Sequence, residues 1–262
     1  MAPARSVAED APAAGAPAAG AAVAATRAGQ SDTRNAVFLV LLALTAACCI
    51  GTVQMIAFHA PVESTMGVVQ KIFYFHVPSA YAMYLGATVC FVGSAAYLYK
   101  GTAYWDAFAK AGAEVAVAMG VMVCISGPLW AAKAWGVYWT WDPRLTTSML
   151  SLLVYVAYVV LRAFSGNGES ERKFAAALGI LGAANLPIIH YSVKKWGGNH
   201  PTVITGNGGG ITPDMRTVLM MGFLTFTLLT VVFVWQRLRV ELASRRLEDA
   251  EHEALAMGIT EE

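Results

Sequence analysis

Residues 135–146 read WGVYWTWDPRLT. Trp135, Tyr138, Trp139 and Trp141 crowd four large rings into a few positions, and Asp142, Pro143 and Arg144 follow at once. On either side the chain is strongly apolar, over residues 108–130 and 145–163. The stretch therefore reads as the connection between two long apolar helices. Aspartate is a good N-cap and proline is favoured at the first helical position, so Asp142 is expected to start the second helix. Rings at this density either anchor the chain at a membrane interface or grip a flat ligand. An interfacial belt scatters its rings over many helix ends. Concentration in one loop favours the ligand.

Working outward, the chain contains six apolar runs, at 36–57, 78–99, 108–130, 145–163, 174–193 and 217–236. Each is close to the roughly 20 residues that a spanning helix needs. The fifth is interrupted by Asn185 and Pro187. Such residues are tolerated in a span where neighbouring helices satisfy the freed polar groups. The 262 residues are 57% hydrophobic and only 13% charged, against about 25% charged in an average soluble domain. The expected fold is therefore all-α: an integral membrane protein of six transmembrane helices (34–240), in contact with the lipid bilayer. It is flanked by a disordered Ala/Pro-rich tail (1–33) and a charged tail (241–262) forming a short helix of its own. No basic, apolar and cleavage-site pattern marks residues 1–33 as a signal peptide. A formal net charge of +1 supplies no field to attract nucleic acid.

Twelve of the eighteen Lys and Arg fall in the tails or the connections on one side. The positive-inside rule then places both termini in the cytoplasm. The other three connections face outward, and they carry nearly all the unusual chemistry. Besides the aromatic loop, His76 ends the first of them, in KIFYFHVPSAY, and His200 lies in the last, in WGGNHPT. His76 precedes Pro78, where the second helix is expected to begin. A helix N-terminus keeps such an imidazole neutral and able to bind a metal. His190 is expected inside the fifth helix in a hydrogen-bonded role, His59 at the interface, and His252 in the tail.

Several other features read as structural. Cys48, Cys49, Cys90 and Cys124 lie in apolar runs and form no CxxC pair, so they read as packing residues. Lys110 and Glu114, spaced i, i+4, are expected to pair with each other. The run TGNGGG at 205–210 follows no strand and opens no soluble βα unit, so it reads as a flexible loop. Arg144, in the first turn of its helix, sits at the wrong end of the dipole for a cation. Asp142 or a ligand carboxylate would offset that.

These residues resemble a known family. WGVYWTWDPRLT is similar to the tryptophan-rich WWD signature, roughly WGxWWxWDxRLT, of the haem-handling proteins of cytochrome c maturation, with Tyr138 in place of one tryptophan. The HVPSA segment at His76 and NLPIIHYSVKKW at 185–196 resemble the short branch, the haem exporter protein C family. The resemblance covers about residues 36–240. It implies a non-enzymatic protein of the bacterial inner membrane that binds haem b as cargo at a site facing the periplasm. Two histidines, His76 and His200 by motif position, would be the axial ligands. The loop of Trp135, Tyr138, Trp139, Trp141, Asp142 and Arg144 would hold the porphyrin. Arg144, Lys133 or Lys194 would pair with the propionates. The implied partners are a periplasmic haem chaperone, the subunits of an ABC transporter and a small membrane subunit. One departure stands out. Where the family has a pattern like WWNTLHQ, this chain has KWGGNHPT, with Gly197 for a tryptophan and Pro201 after the histidine. His190 is the substitute ligand if His200 fails. Two other readings remain: a multi-pass transporter of haem or another solute, and an electron-transfer subunit with histidine pairs inside its spans.

Overall fold

The computed structural model describes residues 16–165, 168–201 and 210–258, with side chains from Asp32 onward. Six helices account for nearly all of it: α1 (Ala16–Gln54), α2 (Phe73–Lys100), α3 (Ala103–Trp135), α4 (Pro143–Phe164), α5 (Glu169–Trp196) and α6 (Pro213–Ala256). All six are long and apolar enough to cross a membrane. The protein is an all-α integral membrane protein, as its composition implies. The chain divides into two compact units, Met1–Ala43 and Leu44–Glu262. The first contains the early part of α1, and the second contains the other five helices.

Three boundaries differ from the sequence expectation. α1 begins at Ala16, inside the stretch expected to be disordered. Alanine has the highest helix propensity, and a run of it extends a helix that a spanning segment has already nucleated. α2 begins at Phe73, not Pro78, and a 3-10 turn at Val68–Ile72 leads into it. His76 is therefore a helical residue rather than the end of a loop. α6 runs unbroken from Pro213 to Ala256, so the charged tail is its continuation, and Glu241 and Arg245 are buried. The TGNGGG loop lies outside the described residues except for Gly210.

Small residues let the helices approach closely. A Cβ on Gly93 would stand 2.5 Å from the backbone nitrogen of Ala109, and one on Gly112 would strike the backbone of Cys90. α2 and α3 thus pack nearly backbone to backbone, as spanning helices do where small residues face each other. Tyr155 of α4 lies over Gly182 of α5, where a Cβ would come within 2.8 Å of its ring. α5 continues through Pro187. The Asn185 amide donates to the Thr147 carbonyl at 2.8 Å and to Ser151 Oγ at 2.9 Å, so α4 satisfies the polar group that interrupts the fifth run.

At the end of the unit that carries the α2–α3 and α4–α5 connections, charges replace small residues. Asp106, 1% exposed, receives Arg162 at 3.0 Å and Arg245 at 2.5 Å, with Arg172 at 3.8 Å. Glu241 holds Arg245 and Lys110, and Glu114 holds Arg237. The expected Lys110–Glu114 pair does not form. α6 runs alongside α3 and offers each residue a partner of opposite charge that is better aligned than its own helix can provide.

Candidate functional site

The opposite end of the unit gathers the α3–α4 connection, the first turns of α2 and the residues after α5 around one cavity of about 450 Å³. His76, His200, Trp135, Trp139 and Arg144 all line it. So do His190, Lys194, Gln70 and Trp130. Lys133 is not among the lining residues.

His76 enters from α2 and packs against α3. Gly127 makes the space, because a Cβ there would stand 3.0 Å from His76 Cε1. His76 Nδ1 is 3.0 Å from Ser126 Oγ, and that hydroxyl donates its hydrogen to the Met122 carbonyl at 2.6 Å. With its proton committed, Ser126 can only accept from the imidazole. The His76 proton therefore sits on Nδ1, and Nε2 keeps a free lone pair.

His200 approaches from the other side. Its ring centroid is 6.4 Å from that of His76, at an interplanar angle of 35°. Gly197 and Gly198 both take positive φ, at 75° and 139°. That conformation is free for glycine and costly for other residues. Gly197, standing where the family pattern has a tryptophan, thus lets the chain leaving α5 turn at once. Gly198 packs on Asp142, with a Cβ position 3.3 Å from the aspartate Cβ. Burial holds the His200 pKa below its ordinary value, and the positive charge of Arg144 adds to the effect.

Arg144 joins the two sides. Nη1 contacts His200 Nδ1 at 3.2 Å, and Nη2 donates to the His190 carbonyl at 3.0 Å. Its Nε is buried without a partner. Asp142 acts as the expected cap, with Oδ1 accepting from the Leu145 amide at 2.9 Å. The rings divide. Trp135 and Trp139 line the cavity, whereas Tyr138 and Trp141 are 65% and 74% exposed and do not. Trp141 meets Trp139 edge to face at 5.8 Å. It therefore supports the wall from outside rather than facing the cavity. Trp130, one turn before Trp135, meets it edge to face at 5.9 Å and donates from Nε1 to Gln70 Oε1 at 3.1 Å. His190 serves through its carbonyl, and its ring packs on Tyr191.

Sequence reasoning did not single out Ser126, Gly127 or Gln70, and it placed Trp130 on this face without giving it a site role. For Trp130 a signal was present: it belongs to the same aromatic cluster at the end of the third apolar run. Ser126 and Gly127 carry no signal until the register of α2 against α3 is known.

Among the described residues, no cluster of three or more His, Cys, Asp and Glu comes together. A bare metal ion would find only two imidazole nitrogens here. Imidazole nitrogens bind first-row metals at about 2 Å, so two rings on opposite sides of one metal have centroids about 6 Å apart. The observed spacing of 6.4 Å is close to that value. The chain matches the family described as "Heme exporter protein C" over residues 23–253. It belongs to that family. It is similar to the "Heme exporter protein C" of Bradyrhizobium diazoefficiens, with 33% identity covering 72% of each chain. The Escherichia coli K12 protein of that name is 30% identical over 69% of this chain and 73% of its own. That of Paracoccus denitrificans is 29% identical over 77% and 85%.

Proposed function

We propose that this member of the haem exporter protein C family binds haem b as cargo in the cavity and delivers it for cytochrome c maturation. The carrying observation is the pair of imidazoles 6.4 Å apart across a cavity walled by Trp130, Trp135 and Trp139. His76 and His200 are the axial ligands, and filling both axial positions blocks oxygen chemistry during transit. Ring edges and faces hold the porphyrin. Arg144 and Lys194 line the cavity and pair with the propionates. Lys133 is not among the lining residues, and the proposal gives it no part. Tyr138, Trp141 and Asp142 support the wall.

In this reading both termini are cytoplasmic and the cavity faces the periplasm of a bacterial inner membrane. The protein is a carrier rather than an enzyme. It hands haem to a periplasmic haem chaperone and works with the ABC transporter subunits and the small membrane subunit of the pathway. The transporter alternative drew on Asn185 and Pro187 as a broken helix near mid-membrane. α5 is continuous there and Asn185 is satisfied, so nothing specific favours it. The test is an absorbance spectrum of protein purified from haem-replete cells. A bis-histidine low-spin spectrum is expected, degraded in His76→Ala and in His200→Ala. Absence of a Soret band in the unaltered protein would refute haem binding. Normal spectra in both variants would refute only the ligand assignment.

A further inference from the structure

The two histidines differ in one respect. His76 has a single hydrogen-bonding state, set by Ser126, and that state leaves Nε2 bare. His200 Nδ1 has two partners that demand opposite things. Arg144 Nη1 stands at 3.2 Å and the Pro201 carbonyl at 3.0 Å. A guanidinium only donates and a carbonyl only accepts. To receive from Arg144, Nδ1 must be bare, and the ring proton then sits on Nε2. To donate to Pro201, Nδ1 must carry the proton, and Nε2 is then bare. Only the second tautomer can ligate a metal through Nε2.

We propose that Arg144 holds His200 in the non-ligating tautomer until a carboxylate of the cargo draws the guanidinium away. Carboxylate recognition and axial ligation are then one coupled event. The proposal rests on the haem reading of the cavity. Its basis is the company Arg144 keeps: two neutral acceptors, a buried Nε without a partner, and no ion pair among the described residues. A carboxylate makes a stronger, bidentate partner than either neutral group. When Arg144 turns to it, Nδ1 of His200 is released, the ring proton exchanges through solvent from Nε2 to Nδ1, and the Pro201 carbonyl accepts it. No net charge changes. Coupling of this kind is reciprocal: ligation by His200 strengthens the hold of Arg144 on the carboxylate by the same factor. It also gives a route to release. A partner that takes the carboxylate from Arg144 returns the guanidinium to His200 and weakens one axial bond, while His76 keeps hold.

Two measurements on the detergent-solubilised full chain test this. The first needs no haem. Nitrogen-15 NMR of histidine-labelled, haem-free protein, with the His200 signals assigned by their loss in His200→Ala, reads the tautomer directly. The His200 proton is expected on Nε2 in the unaltered protein and on Nδ1 in Arg144→Met. A proton on Nδ1 in both would overturn the proposal. The second compares haemin with its dimethyl ester, which lacks carboxylates. Haemin should give a low-spin bis-histidine spectrum. The ester should give a high-spin spectrum in the unaltered protein and a low-spin one in Arg144→Met. A low-spin ester complex without the substitution, or a high-spin one with it, would overturn the coupling. If haemin itself fails to bind, the haem reading falls and the coupling with it, a result distinct from any change in the nitrogen spectrum.

Discussion

The two ends of the Leu44–Glu262 unit bury arginines in opposite ways. At the α2–α3 end, Arg162 and Arg245 converge on Asp106, and every acidic group in the cluster has a cation within ion-pair distance. At the cavity end, Arg144 is half-buried with a histidine nitrogen and a carbonyl as its partners. At one end each arginine has a carboxylate within ion-pair distance, although Arg162 and Arg172 keep buried nitrogens without a hydrogen-bond partner; at the other, the direct partners of Arg144 are neutral and Asp142 acts on it only from beyond ion-pair distance. A protein built only for stability would treat both alike. The contrast marks one end as the clamp that holds α3, α4, α5 and α6 together and supports the binding role proposed for the other.

The sharpest way to break that contrast is to neutralise the hub of the clamp. Removing one partner of a buried ion pair costs about 3–5 kcal/mol, because the remaining charge is stranded. The Arg162 side chain is fully buried and that of Asp106 nearly so. Asp106→Asn is therefore expected to lower the thermal midpoint in detergent more than any single change at the cavity end. The haem spectrum of the fraction that remains folded should be unchanged. A midpoint within a degree of the unaltered protein would show that the cluster is decoration rather than clamp.

The next effect belongs to the cavity end and should appear in binding rather than in stability. Partners that orient a metal-ligating histidine are worth about 10–100-fold in metal affinity. Ser126→Ala removes the acceptor of the His76 Nδ1 proton and should weaken haem binding within that range, with little change in midpoint. Ser126→Thr, which retains the hydroxyl, should recover most of it. Equal affinity in Ser126→Ala would mean that another group sets the His76 tautomer.

What the sequence made legible follows the same division. The six spans could be read because apolar run length is a local property. The grouping of the aromatic loop with His76 and His200 could be read because antiparallel spans bring alternate connections to one end. Asp142 as a cap was equally local. What escaped depends on the register between helices. Lys110 and Glu114 satisfy every local rule for pairing, yet each is captured by α6. Trp141 and Trp139 are two residues apart in one motif, and only the fold tells which faces the cavity. Ser126 and Gly127 become meaningful only once α2 is laid on α3.

The cap gives a smaller and more diagnostic effect. Replacing an aspartate N-cap by alanine costs about 1 kcal/mol. Asp142 also packs against Gly198 on the chain that carries His200. Asp142→Ala should therefore lower stability modestly and blur the His200 side of the site, seen as a growing high-spin fraction at unchanged haem content. If stability falls and the spin state does not move, the cap serves α4 alone.

The smallest expected effect is that of mild acid, and it falls on the cavity end. His200 lies below the ordinary histidine pKa because burial and the charge of Arg144 both disfavour the imidazolium. Protonation thus opposes the arrangement of His200 beside Arg144. The stability tied to His200 is complete above the ordinary value and is lost only as the pH falls below it, toward the depressed one. Titration down to about pH 6.5, the unperturbed histidine value, should leave the low-spin haem spectrum unchanged. Loss should set in only in more acid solution. Removing the positive charge of Arg144 withdraws one of the two causes of the depression, so in Arg144→Met the loss should begin at higher pH. A transition near the ordinary histidine value in the unaltered protein would mean that burial and Arg144 do not disfavour the His200 imidazolium.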